Sequence, residues 1–207
     1  MLSDRRESPR HKLGSRRPAD EMRRHVLVAA RELLLVHGPV GVTLAAVAGK
    51  VDRSHSNVLH HFGSAEALQS ALMSSMVEDL AAALVDALST LAPGETRGRV
   101  LVDTVFDAFD RGGAGVLAAW IVLSNKQRFL EPIRAAVTQL AAGVNVRLAR
   151  DFPNRPRHVP SALLFLTLCA FADALIGREL NGMLKMDRSA MRDIAVMLIP
   201  KFLEAQD

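Results

Sequence analysis

Residues 43–62 read TLAAVAGKVDRSHSNVLHHF, and the fold class follows from this stretch. Thr43 is a side-chain acceptor directly ahead of Leu44, Val47 and Ala48, whose spacing of three and one places them on one face of a two-turn helix. Val51-Asp52-Arg53 is a tight connection. Ser54 then caps a second short helix that turns Val58 and Phe62 inward, and Gly63-Ser64 breaks it. Two short helices joined by a three-residue turn, with apolar residues placed to lock one against the other, make a helix-turn-helix. The outer face of the second helix is left with His55, Ser56, Asn57 and His60. These side chains are short or of medium length and carry donors and acceptors, which suits base edges and phosphates in a groove. A helix that merely faces solvent more often carries Lys and Glu.

The flanking sequence is helical as well. From Ala19 onward, with Asp20 able to cap, Val26, Leu27, Ala30, Leu33 and Leu34 keep helical spacing until Gly38-Pro39. Ser64 and Glu66 start a long helix that runs to about Leu91 and stops at Ala92-Pro93-Gly94. Further helices fit 96–110, 116–124, 131–151 and 161–178, and a last one starts at Asp187 or Ser189 and runs to about Ala205. Gly112-Gly113, Pro153, Pro156 and Gly182 mark the breaks, and Pro200 should kink or loosen the last helix. There is no alternating β pattern and no repeat. The expected class is all-α with about nine helices.

Composition narrows the function. Apolar residues make up 49% of the 207, enough for a sizeable core and an interface, whereas aromatics are only 4%. Residues 1–62 hold eleven Lys/Arg against six Asp/Glu, and the rest of the chain is close to neutral, so the first third suits a polyanion. The single cysteine, Cys169, excludes an intrachain disulfide and sits in an apolar run. The first residues are charged and show no secretory leader, and the apolar stretch 161–176 is too short to span a bilayer, so a cytoplasmic protein with no membrane partner is expected. No nucleophile motif, metal-ligand cluster or phosphate loop is present, so no enzyme activity and no cofactor are expected. Gly112-Gly113-Ala114-Gly115 follows no strand and is no dinucleotide loop. His55, His60 and His61 lack the four-residue spacing that puts two metal ligands on one helical face. Residues 1–20, polar and basic, read as a disordered arm.

The pattern Val28-Ala29-Ala30-Arg31-Glu32-Leu33-Leu34, Gly38, Thr43-Leu44-Ala45-Ala46-Val47-Ala48, Ser54, Val58, His61-Phe62 and Glu66-Ala67-Leu68 resembles the tetracycline-repressor (TetR) family of transcriptional regulators over about fifty residues. The resemblance implies a dimer that binds a palindromic operator in double-stranded DNA and lets go when a small molecule binds the larger domain. It implies that Thr43 and Ser54 contact phosphates and that His55, Asn57 and His60 reach base edges, with Ser56 beside them. Three departures stand out. The family's usual Ala-Gly-Val-Ser turn is Val51-Asp52-Arg53-Ser54 here, its recognition-helix Tyr is Leu59, and the Lys opening its fourth helix is Ala65. Arg53, His60, His61 and the basic arm are the groups available to replace the two missing phosphate anchors.

On this reading 21–66 is the DNA-binding unit and 67–207 the ligand-binding and dimerisation unit. Candidate pocket residues are Phe106, Phe109, Trp120, Leu123 and Phe129, with Asn125, Gln139 and Asp173 as polar contacts, for an apolar or amphipathic effector. The candidate dimer face is Leu164, Leu168, Phe171 and Leu175 on one helix and Met191, Ile194, Leu198 and Phe202 on the last. Two other readings remain: a helical small-molecule-binding protein without DNA activity and, less favoured, an enzyme.

Overall fold

The computed structural model describes residues 16–124, 131–151 and 159–204. Among these it contains nine helices and no strand: α1 (Arg16–His37), α2 (Leu44–Lys50), α3 (His55–Phe62), α4 (Ala65–Thr90), α5 (Glu95–Phe109), α6 (Ala114–Leu123), α7 (Glu131–Asp151), α8 (Val159–Leu184) and α9 (Ala190–Glu204). A 3-10 turn at Pro39–Gly41 joins α1 to α2.

Two boundaries differ from the sequence reading by three residues or more. Helix α1 starts at Arg16, inside the stretch assigned to the arm, because Pro18 falls in its first turn, where a missing N–H breaks no hydrogen bond. Residues 1–15 lie outside the described part. Helix α8 continues through Gly182 and ends at Leu184, with Lys185 left-handed at φ 54 as its cap. An interior glycine costs about 1 kcal/mol in helix propensity, too little to end a helix by itself. At 26 residues α8 is long and apolar enough by composition to cross a membrane, contrary to the shorter span read from sequence. It contains one π turn, Asp173–Gly177. Helix α9 runs through Pro200 to Glu204.

The helices pack around two cores. The first joins Val26, Ala30 and Leu34 of α1, Leu44 and Val47 of α2, and Val58 and Phe62 of α3 to Leu68, Leu72 and Met76 of α4. It also takes in Ala114, Leu117 and Ile121 of α6, so a helix late in the chain closes the N-terminal unit. The second core holds Leu84 and Leu88 of α4 with Val102 and Phe106 of α5, Val144 and Leu148 of α7, Leu166 of α8 and Ala195 of α9. Helix α4 is therefore common to both cores, and Val77 packs against each. One polar contact fastens its start. The buried Gln69 amide donates from Nε2 to the carbonyls of Pro39 (3.1 Å) and Val42 (3.2 Å), holding the α1–α2 connection onto α4.

A row of ion pairs joins α9 and the residues just ahead of it to α5 and its C-cap. Arg99 meets Asp193 at 2.6 Å, Arg192 meets Asp107 at 2.8 Å and Asp103 at 3.4 Å, and Arg188 meets Asp110 at 3.3 Å. The Arg192 guanidinium also lies 5.3 Å over the Phe106 ring. Asp173 of α8 stands beside this row. Burial pushes its carboxyl above the ordinary value, Arg192 pulls it back and Asp110 adds to the rise. The folded state therefore holds this proton more tightly than the unfolded chain. Asp173 thus favours folding at acid pH, and that contribution is lost as pH rises from the ordinary carboxylate range through the raised value. Asp173→Asn is accordingly expected to raise the melting temperature at pH 7, with the gain shrinking at pH 4. Thermal melts at the two pH values check this, and an equal gain at both would sink it.

Candidate nucleic-acid interface

Local capping builds this surface. The Thr43 hydroxyl accepts from the Ala46 N–H at 3.1 Å, and the Ser54 hydroxyl accepts from the Asn57 N–H at 3.2 Å. Each hydroxyl keeps its own hydrogen free to donate, and both residues are exposed. The turn between α2 and α3 closes by two backbone bonds, Val51 N–H to the Val47 carbonyl and Arg53 N–H to the Ala48 carbonyl, both 3.0 Å. The first is the last bond of the helical ladder; the second reaches back from two residues past the cap, the six-to-one closure that goes with a left-handed residue after the cap. Asp52 takes that place at φ 52, where the family's pattern has glycine.

On α3, Val58 and Phe62 are buried while His55, Ser56, Asn57 and His60 are exposed, as is Arg53 at the turn. Asn57 and His60 are three apart and Ser56 and His60 four apart, so these three share the outer face. Leu59 is 40% exposed beside them. His61 is only half-buried. Its ring meets that of His60 edge-on with centroids 5.9 Å apart, and it lines a cleft with Arg23, Ser70, Ser74 and Glu78 beneath the helix. The underside of α3 is braced by Arg23 of α1, whose guanidinium lies 5.0 Å over the Phe62 ring. Lys50 and Glu32, 2.8 Å apart, tie the end of α2 to α1. The result is a short, capped helix that presents a row of small polar side chains on a rigid three-helix support.

Asp52 places a carboxylate next to this row in a backbone conformation that a side chain disfavours. Asp52→Gly is expected to stabilise the fold by about 0.5–1 kcal/mol and to tighten binding to any polyanion severalfold at low salt. Urea unfolding and fluorescence anisotropy with a DNA duplex check the two effects. A looser complex would count against the surface.

The structure does not bring the expected pocket residues together. Phe106 is core, and Phe109 stacks edge-on with Phe171 at 6.3 Å. Trp120 and Leu123 face outward, Leu123 being 83% exposed, and Gln139 is exposed. Asp173 lines a polar cleft with Asp110, Arg178 and Arg188, while Asn125 and Phe129 lie outside the described residues. Helix α6 is apolar all round, so its sequence carried no direction, and its buried side went to the first core. The body's apolar cavity lies elsewhere, among Leu84, Leu88, Val102, Val144, Leu148 and Leu166. The signal for it was the apolar spacing on the second half of α4 and on α7.

Of the expected dimer residues, Leu164 and Leu168 are 62% and 56% exposed, and Leu175 is exposed beside them. Phe171, Met191, Ile194 and Leu198 are half-buried, with Phe171 turned partly inward onto Phe109 and Met191 packed on the second core. The Phe202 side chain lies outside the described part. The exposed apolar face of α8 continues beyond the expected residues to Ile176, Leu180, Met183 and Leu184. Among the described residues no group of three His, Cys, Asp or Glu is arranged to hold a metal ion.

No family model matches the chain. The HTH-type transcriptional activator FasR of Mycolicibacterium smegmatis is 27% identical over 112 residues, 54% of this chain, and the chain spans about half the length of that relative (51%). A tetR-family transcriptional regulator from Streptomyces coelicolor superposes with a TM-score of 0.63 at 17% identity, covering 88% of this chain and 79% of its own. The transcriptional regulator FadR from Bacillus subtilis, solved in complex with stearoyl-CoA, superposes with a TM-score of 0.62 at 11% identity, covering 85% of this chain and 96% of its own.

Proposed function

We propose that this chain, which has the fold of the TetR-family transcriptional regulators, is a cytoplasmic homodimeric repressor that binds a palindromic operator and is released by a small, largely apolar ligand. The observation that carries this reading is the outer face of α3: His55, Ser56, Asn57 and His60 exposed in a row, with Thr43 and Ser54 offering hydroxyl hydrogens at two capped helix starts. Asn is the side chain whose amide matches the adenine edge in the major groove, and Arg53 with the hydroxyls suits phosphates. The long apolar face of α8 supports a second copy as partner. A two-fold pair would set two recognition helices against half-sites about 34–36 Å apart. Helix α4, about 40 Å long at 1.5 Å per residue, spans both cores and provides the link by which a ligand in the body would alter that spacing. That the FadR neighbour was solved with stearoyl-CoA supports a ligand-responsive body in a chain of this fold.

Electrophoretic binding to the DNA upstream of its own gene tests the reading. Asn57→Ala is expected to weaken that binding by about tenfold to a hundredfold, the worth of one good base contact. An absence of DNA affinity even at low salt would leave a helical ligand-binding protein as the better account.

A further inference from the structure

Within residues 43–62 a single large apolar side chain stays in solvent. Val58 and Phe62 of α3 are buried in the first core, whereas Leu59 is 40% exposed and is part of neither core. It follows His55 by four residues and Ser56 by three, so it borders the polar row on the side away from Asn57. A helical side chain leans back over the turn that precedes it. Leu59 therefore leans toward His55 and Ser56, at the end of α3 that begins from the Ser54 cap. That end of a recognition helix is the one that meets base edges. A leucine has nothing to offer a phosphate oxygen, or the donors and acceptors of a base edge. The apolar group that base pairs present in the major groove is the thymine C5-methyl.

We propose that Leu59 is a specificity-determining residue, which selects thymine in each half-site by packing on its C5-methyl. This rests on the reading of α3 as the helix that enters the groove. The selection has two parts. Contact takes the methyl out of water, which favours thymine by about fourfold for one buried carbon and by about fifteenfold over two half-sites. Cytosine in the same place presents its N4 amine, a donor that the leucine strips of water without supplying an acceptor. Leu59 thus favours thymine and opposes cytosine. Asn57 stands two residues back, about 160° around the helix axis. The two side chains therefore face opposite walls of the groove and read different base pairs.

Fluorescence anisotropy of the full-length protein with the DNA upstream of its own gene tests this assignment. Two duplexes of the same sequence are compared, one with thymine and one copied with deoxyuridine in its place. The second lacks the methyls and keeps every base-pairing hydrogen bond. The parent protein is expected to bind the uracil duplex about fifteenfold more weakly. Leu59→Ala is expected to bind the two duplexes within about twofold of each other, because the shortened side chain no longer reaches the methyl. Its melting temperature should match the parent's, since the residue is exposed and alanine is a good helix former. Equal binding of both duplexes by the parent, or an undiminished thymine preference in Leu59→Ala, would overturn the role of Leu59 and leave the repressor reading standing. No binding of either duplex at low salt would overturn the reading of α3 itself, and this assignment with it.

Discussion

Leu168→Glu is expected to turn the protein into a monomer and to weaken operator binding by roughly a hundredfold to ten-thousandfold, the gain that linking two half-site contacts confers. Leu168 is 56% exposed in the single chain, in an apolar row with Leu164, Ile176, Leu180 and Met183. A free surface of that extent on a helix otherwise packed into a core calls for a cover. In a two-fold interface each substitution occurs twice, so two carboxylates would be drawn out of water without a partner, at several kcal/mol each. The fold of the single chain should survive, because the side chain points away from its own core. Analytical ultracentrifugation at micromolar concentration reads the first effect and anisotropy with operator DNA the second. A variant that stays dimeric would remove α8 as the interface.

Gln69→Leu is expected to cost about 2–3 kcal/mol of stability, read as a lower urea midpoint. The new side chain has similar bulk and fits the buried site, but the Val42 carbonyl loses the Gln69 donor where water cannot readily replace it, and the Pro39 carbonyl is left with the Val42 N–H alone. Those carbonyls belong to the connection that leads into Thr43, so the loss should also appear as faster amide exchange across α2 and α3 and as weaker DNA binding. Gln69→Glu should be at least as harmful, since an ionised carboxylate offers no donor at all. Unaltered exchange in α2 would show that this bond does not brace the DNA-facing unit.

What was legible in the sequence was what short-range chemistry determines. Thr43, Ser54 and Ser64 each cap through the N–H three residues on, and Asp52 is left-handed where the family resemblance places a glycine. Contacts between distant parts were not legible. Gln69 finds its partners 27 and 30 residues away, and the arginines of the α5–α9 row reach theirs 78 to 94 residues away. Nothing local marks such pairs. The expected pocket residues lie apart for a related reason. A spacing of three and four tells which side of a helix is apolar, but not which neighbour covers it, and in α6 no side is polar.

The π turn in α8 has a consequence for the phase of the helix. Each α-helical residue advances about 100° around the axis, so the eight steps from Leu168 to Ile176 would rotate the apolar row by about 80° and carry Leu180 and Met183 with it. The wider turn at Asp173–Gly177 absorbs one residue. Counted as seven steps, Ile176 falls within about 20° of Leu168, as does Leu180, and Met183 falls into line with Leu164. A slip of one residue thus straightens a stripe that the unbroken period would have wound around the helix. It also makes length more important than identity here. Removing Ala174 would turn the last two turns of α8 by about 100° against the first half, while leaving every apolar residue in the chain.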